Sequence, residues 1–103
     1  MTMLKVIDCE IFPKEEMFKL VYNNQQVCYC YWDGTKRWFL NGKRHREDGP
    51  AIEWANGTKE WWLNSKRHRV DGPAIERANG DKEWYLNGKE LSHSEWKEEV
   101  VRL

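Results

Sequence analysis

Apolar and polar positions along the chain follow a β pattern broken by turns. Asn56-Gly57 and Asn79-Gly80 sit between apolar-rich runs, and Asp33-Gly34 occupies the same slot. Such dipeptides mark hairpins, because both central residues of a type I′ turn need φ > 0. A second set of turns falls at Asn41-Gly42, Asn64-Ser65 and Asn87-Gly88. Each unit therefore reads as strand, turn, strand, turn, short strand. In the middle unit the strands are predicted at Ala51–Ala55, Thr58–Leu63 and Lys66–Arg69.

The pattern recurs with a fixed period. The segments Asp33–Arg46, Asn56–Arg69 and Asn79–Glu90 align with their starts 23 residues apart, and Asp48–Glu53 aligns with Asp71–Glu76. A period of this size means stacked supersecondary units, each too small to bury a face alone. It argues for an extended surface carrying the same groups at a fixed pitch, and against a pocket-bearing enzyme fold.

Two-residue turns would set the register. With Ala55 opposite Thr58, Ile52 faces Trp61 and Glu53 faces Glu60. With Leu63 opposite Lys66, Trp61 faces His68, Trp62 faces Arg67 and Glu60 faces Arg69. One side then carries Ile52, Trp61, Leu63 and His68 and reads as the core, with Trp38, Leu40, Ile75, Trp84 and Leu86 as equivalents. The other carries Ala51, Glu53, Glu60, Trp62, Arg67 and Arg69 and reads as wet, with Arg69 beside Glu53 and Glu60. Asp-Gly-Pro ends the first and second units at 48–50 and 71–73, since proline lacks the N–H.

The ends diverge, as the caps of an open stack must. Phe18–Tyr22 and Val27–Trp32, joined through Asn23-Asn24, read as a hairpin, and Thr2–Ile7 as an edge strand. After the repeats the period changes. Ser92 with Glu95 forms a capping box and Leu91 with Trp96 has staple spacing. Trp96, Val100 and Leu103 share one face of a helix of about ten residues. The predicted fold is mainly β: a single-layer meandering antiparallel sheet of stacked 23-residue β-hairpin repeats, with a diverged N-terminal β cap and a short C-terminal α-helix. One domain spans 1–103, with the cap at 1–26, the repeats at 27–90 and the capping helix at 91–103.

Composition narrows the function. Lys plus Arg balances Asp plus Glu at 17 each over 103 residues. Neutrality speaks against a chain built for non-specific nucleic-acid binding, which needs a basic excess. Charge is high, but seven Trp supply the burial a folded domain needs. No run of about 18 apolar residues spans a membrane, and Met1–Val6 is too short and mixed for a signal peptide. Cys9, Cys28 and Cys30 are an odd number, which fits a reducing cytoplasm. Cys28 and Cys30 share one side of a strand, and a metal site there would need a further ligand such as histidine.

The segments Phe39-Leu40-Asn41-Gly42-Lys43-Arg44-His45 and Trp62-Leu63-Asn64-Ser65-Lys66-Arg67-His68 resemble the aromatic-x-x-Gly-Lys-x-His core of MORN repeats, which have about the same length. The resemblance covers roughly residues 27–90 and implies a meandering antiparallel sheet. MORN units follow the histidine with Gly-x-Gly, whereas Arg46–Ala51 and Arg69–Ala74 stand here, and the third unit has Leu91 in place of the histidine. The His-Arg-x-Asp-Gly-Pro-Ala form is similar to repeats in small phage and bacterial proteins. The resemblance implies protein–protein scaffolding, with membrane-lipid contact a second expectation, and does not imply catalysis.

His45 with Asp48 and His68 with Asp71 could form base–orienter pairs of a hydrolase. Presence in two equivalent places argues for a structural role: Asp48 and Asp71 bonding turn N–H groups, the histidines filling space beside Trp38 and Trp61. No Gly-rich phosphate loop, serine nucleophile motif or paired metal ligands appear, so no catalytic residue, metal or cofactor is expected. Phe39, Trp62 and Tyr85 with Arg44 and Arg67 are expected to form a ladder of aromatic and guanidinium groups. Tyr, Trp and Arg dominate interface hot spots. The expectation is a non-enzymatic cytoplasmic module that binds or occludes a larger protein, as a phage-type modulator of a host protein would, with a second copy of the chain as another protein partner and no membrane insertion. The alternative is a nucleotide, anionic-ligand or single-stranded nucleic-acid binder using Arg44, Arg46, Arg67 and Arg69, since the same groups stack on bases.

Overall fold

A computed structural model describes the backbone of residues 17–22 and 26–103, and side chains from Gln26 onward. The expected edge strand at Thr2–Ile7, the Asn23-Asn24 turn and Cys9 lie outside the described residues. Eleven strands precede one helix in this region: β1 Met17–Tyr22, β2 Gln26–Tyr31, β3 Lys36–Leu40, β4 Lys43–Arg44, β5 Ile52–Glu53, β6 Lys59–Glu60, β7 Trp62–Leu63, β8 Lys66–Arg67, β9 Ile75–Glu76, β10 Lys82–Leu86, β11 Lys89–Leu91 and α1 His93–Val100. The order β1-β2-β3-β5-β6-β9-β10-β11 is one open antiparallel meander, with β4 paired to β3 beside it. The hairpin β7-β8 bridges the gap. Ser65 N–H bonds Arg44 O and Arg46 N–H bonds Trp62 O on one side of it, and Gly88 N–H bonds Arg67 O and Arg69 N–H bonds Tyr85 O on the other. The mainly β meander with its C-terminal helix is thus as the repeat period predicts, and no helix in the described residues is long and apolar enough to cross a membrane.

The two kinds of turn differ. At the second set, Asn41, Asn64, Ser65 and Asn87 have φ of 51°, 49°, 64° and 51°, and Gly42 and Gly88 have 78° and 84°. Both central residues are left-handed, as type I′ requires, and Leu63 opposes Lys66 and Trp62 opposes Arg67. The Asn-Gly tips are another turn. Gly57 N–H bonds Trp54 O at 3.0 Å and Trp54 N–H bonds Thr58 O at 2.8 Å. Only Gly57, at φ 96°, is left-handed there. This is a type I turn followed by a bulge glycine, a three-residue loop. The Asn56 carboxamide oxygen accepts from Thr58 N–H and fixes the tip.

That extra loop residue moves the register by one. Ile52 opposes Glu60, not Trp61, and Glu53 opposes Lys59, not Glu60. A one-residue slip exchanges the faces, so the expected core side is corrected. Ile52 and Ile75, each 2% exposed, share their side with Arg37, Glu60 and Glu83. Trp62 Nε1 reaches Glu60 and Tyr85 Oη reaches Glu83, so Phe39, Trp62 and Tyr85 lie on the Ile side. Trp38, Trp61 and Trp84 line the other. Ala51 and Ala74 are fully buried beside the isoleucines.

Two side chains per unit tie it to the next. Thr35 Oγ1 accepts from Ala55 N–H at 3.2 Å, and Thr58 Oγ1 accepts from Ala78 N–H at 3.1 Å. His45 Nδ1 accepts from Asn64 N–H at 3.0 Å, and His68 Nδ1 from Asn87 N–H at 2.9 Å. The third unit has no successor to hold, and it carries Asp81 and Leu91 at these two positions. The first unit takes a different tie, with Gln26 Nε2 donating to the carbonyls of Phe39 and His45.

Helix α1 closes the stack. Ser92 caps it, with both halves of the capping box formed. The bond from Ser92 N–H holds the Glu95 carboxyl below its ordinary pKa. Trp96 is buried and packs on Trp84 with centroids 4.6 Å apart. The helix spans eight residues rather than about ten. Leu103 is exposed and does not join the docked face, because the helix ends at Val100.

Candidate functional site

Five neighbouring strands each place one of the expected ladder residues in a row: Phe39 on β3, Arg44 on β4, Trp62 on β7, Arg67 on β8 and Tyr85 on β10. Phe39 opposes Arg44, and Trp62 opposes Arg67. The Arg44 and Arg67 guanidiniums each lie 4.9 Å from the Trp62 centroid, and Arg67 lies 5.3 Å from that of Tyr85. Arg37 stands 5.6 Å over Phe39, whose ring meets Tyr29 edge-on at 5.5 Å. Each such contact contributes about 0.5–1 kcal/mol at the surface and more where desolvated. The row is not the open wet face that the two-residue-turn register predicted. Tyr85 is buried, and the others are half-buried.

Charge along the row is uneven. Glu60 accepts from Trp54 Nε1 at 2.6 Å and Trp62 Nε1 at 3.1 Å, and its carboxylate lies 3.8 Å from Arg67 Nε. Arg44 has no carboxylate within ion-pair distance among the described residues. The Nε atoms of Arg37, Arg44 and Arg67 are buried without a hydrogen-bond acceptor. An unsatisfied buried donor costs about 1–3 kcal/mol. Burial, then the Glu90 carboxylate, raise the Tyr85 pKa above 10.0 against the opposing pull of Arg67. Its hydroxyl is therefore neutral at pH 7 and donates to Glu83 at 3.3 Å.

The opposite side explains the repeated His-Arg-x-Asp-Gly-Pro-Ala block. Arg69 stacks 3.7 Å over Trp61. Its Nε donates to Asp71 at 2.9 Å, and its Nη1 to Pro73 O at 3.0 Å and Glu76 at 2.7 Å. Arg46 repeats this with Trp38 at 3.8 Å, Asp48, Pro50 O and Glu53. So Asp48 and Asp71 bind guanidiniums, not turn N–H groups. Arg69 pairs with Asp71 and Glu76, not with Glu53 and Glu60. A Cβ at Gly72 would lie 2.8 Å from the Arg69 guanidinium carbon, and one at Gly49 3.1 Å from that of Arg46. The glycine is the floor under a stacked arginine. His45 and His68 hold the next unit's turn through Asn64 and Asn87 rather than meeting Asp48 and Asp71, and His45 Nε2 also lies 3.4 Å from the Glu47 carboxylate.

Three contributors escaped the sequence pattern. Arg37 and Glu60 share the row's side by strand alternation with Phe39 and Trp62, and Tyr29 joins it opposite Arg37 on β2. The one-residue register adds Ile52 and Ile75 to that side, and its only signal is that Asn-Gly also ends a type I turn. In the third unit His93 stacks 3.9 Å from Trp84, taking the place of Arg46 and Arg69. Cys28 and Cys30 are buried on one side of β2 with sulfurs 3.7 Å apart. Among the described residues no three His, Cys, Asp or Glu side chains gather as a metal site. The chain matches no protein-family model, no curated protein and no solved structure with which it was compared.

Proposed function

We propose that the chain is a non-enzymatic, MORN-like interaction module that engages a larger protein through the row Phe39, Arg44, Trp62, Arg67 and Tyr85. The observation that carries this reading is the convergence of all five, from three repeats, into one continuous alternation of rings and guanidiniums. Rings pinned between strands lose little freedom on binding, which is what makes Trp, Tyr and Arg effective contact residues. Arg44 has no carboxylate partner among the described residues and offers its guanidinium to an acceptor on the partner.

The test is affinity capture with the Arg44→Ala/Arg67→Ala variant, which spares the buried rings. Loss of about 2 kcal/mol or more per hot-spot residue removes capture, while circular dichroism shows the fold intact. Capture at wild-type strength by the folded variant would sink the reading. The orphaned Nε donors favour a second reading, an anionic ligand or nucleic-acid strand. That reading requires binding to weaken steeply with salt.

A further inference from the structure

The niche that holds Trp96 is built from repeat residues. The indole packs on Trp84, and its Nε1–H donates to the carbonyl of Arg69 at 2.8 Å. One repeat earlier Trp61 stands for Trp84 and Arg46 for Arg69, and there a cleft of about 400 Å³ is open, lined among others by Arg46, Glu47, Trp61, Leu63, Val70 and Asp71. The frame is the same in both places. Arg46 N–H bonds Trp62 O as Arg69 N–H bonds Tyr85 O. Trp61 is covered on one side by Arg69 at 3.7 Å, as Trp84 is by His93 at 3.9 Å. What differs is the occupant: the chain supplies one indole for two equivalent niches.

The rim of the open cleft defines its partner further. Val70 is an exposed apolar side chain at its edge, 47% accessible. The carboxylates of Glu47, Asp48 and Asp71 stand around it, each more than four-fifths exposed even though Asp48 and Asp71 bond Arg46 and Arg69 and Glu47 lies near His45. We propose that the cleft between the first and second units binds a tryptophan flanked by basic residues on a partner protein. The indole packs on Trp61 and Leu63 and donates to the Arg46 carbonyl, while the flanking cations face the rim carboxylates. This site lies across the sheet from the aromatic–guanidinium row and does not depend on it.

The test titrates the full ¹⁵N-labelled chain with a capped Lys-Trp-Lys peptide, with Lys-Ala-Lys as control. The expected result is saturable shifts of the Arg46, Leu63 and Val70 amides with the first peptide and none with the second. Val70→Trp, which fills the cleft from an exposed position, weakens binding about tenfold or more. Should that variant fold poorly, Val70→Lys tests the same edge through charge repulsion. Equal shifts with both peptides, or shifts confined to the Arg44–Arg67 side, overturn the proposal. So do the same shifts on raising protein concentration without peptide, which would give the cleft to a second copy.

Discussion

At the scale of single residues, the arginine stacked on tryptophan is the most constrained group in the unit. Arg69 is held by a ring above, by Asp71, Pro73 O and Glu76 at its edges, and by Gly72 beneath. It cannot yield to a new methyl group without losing those bonds. Gly72→Ala therefore costs about 1–3 kcal/mol in urea unfolding. In an Arg69→Ala background the same substitution costs close to nothing, a coupling that a double-mutant cycle reads directly. An equal cost in both backgrounds would mean that Gly72 serves the backbone rather than the guanidinium. His68 gives the second residue-scale test. Burial lowers its pKa below the ordinary 6.5, and bonding Asn87 N–H through Nδ1 requires the neutral ring. The unfolded chain then binds more protons, so stability falls as pH drops below about 6.5 and levels off beneath the folded value. Melting temperatures from about pH 7.5 to about pH 5 should show this slope in the wild type and a shallower one in His68→Gln.

At the scale of the element, the repeat boundary rests on side chains that accept bonds from the following unit. Thr58→Val strands Ala78 N–H and costs about 1–2 kcal/mol. Asp81→Ala, at the same place in the last unit, stays within about 0.5 kcal/mol. Equal costs would show that the threonine acts within its own hairpin. These roles also show what the sequence could and could not disclose. The period, the type I′ turns, the β1-β2 hairpin and the capping box were legible, because each depends on local backbone chemistry. The register of the Asn-Gly tips was not. Asn-Gly serves a two-residue type I′ loop and a three-residue type I loop equally well, and the choice turns on whether Asn56 or only Gly57 takes positive φ. From that one residue followed the exchanged faces, the placing of Ile52 and Ile75 on the side of the row, and the burial of Tyr85 there. The five row residues themselves were legible because they recur at the repeat spacing whichever side they occupy.

At the scale of the whole molecule, an open stack must end without leaving a sticky edge. Helix α1 does this at the third unit, covering Trp84 and Leu86 and bonding back to Arg69 O. Trp96→Ala removes the docked ring and costs about 3–5 kcal/mol by denaturant unfolding. A loss below about 1 kcal/mol would show that the helix rests on the sheet without supporting it.

The threonine and histidine ties all run one way, from an acceptor in the earlier unit to an amide in the later one. The molecule therefore has a grammatical order, in which every clause but the last asks for another. During synthesis, when the N-terminal part emerges first, each new hairpin meets a template already in place. A duplicate of residues 56–78 inserted after Ala78 should be accepted as a further clause and lengthen the protein by one hairpin pair. A copy of residues 69–91 placed after Leu91 would instead find Asp81 and Leu91 where it needs a threonine and a histidine, and it would have nothing to bind.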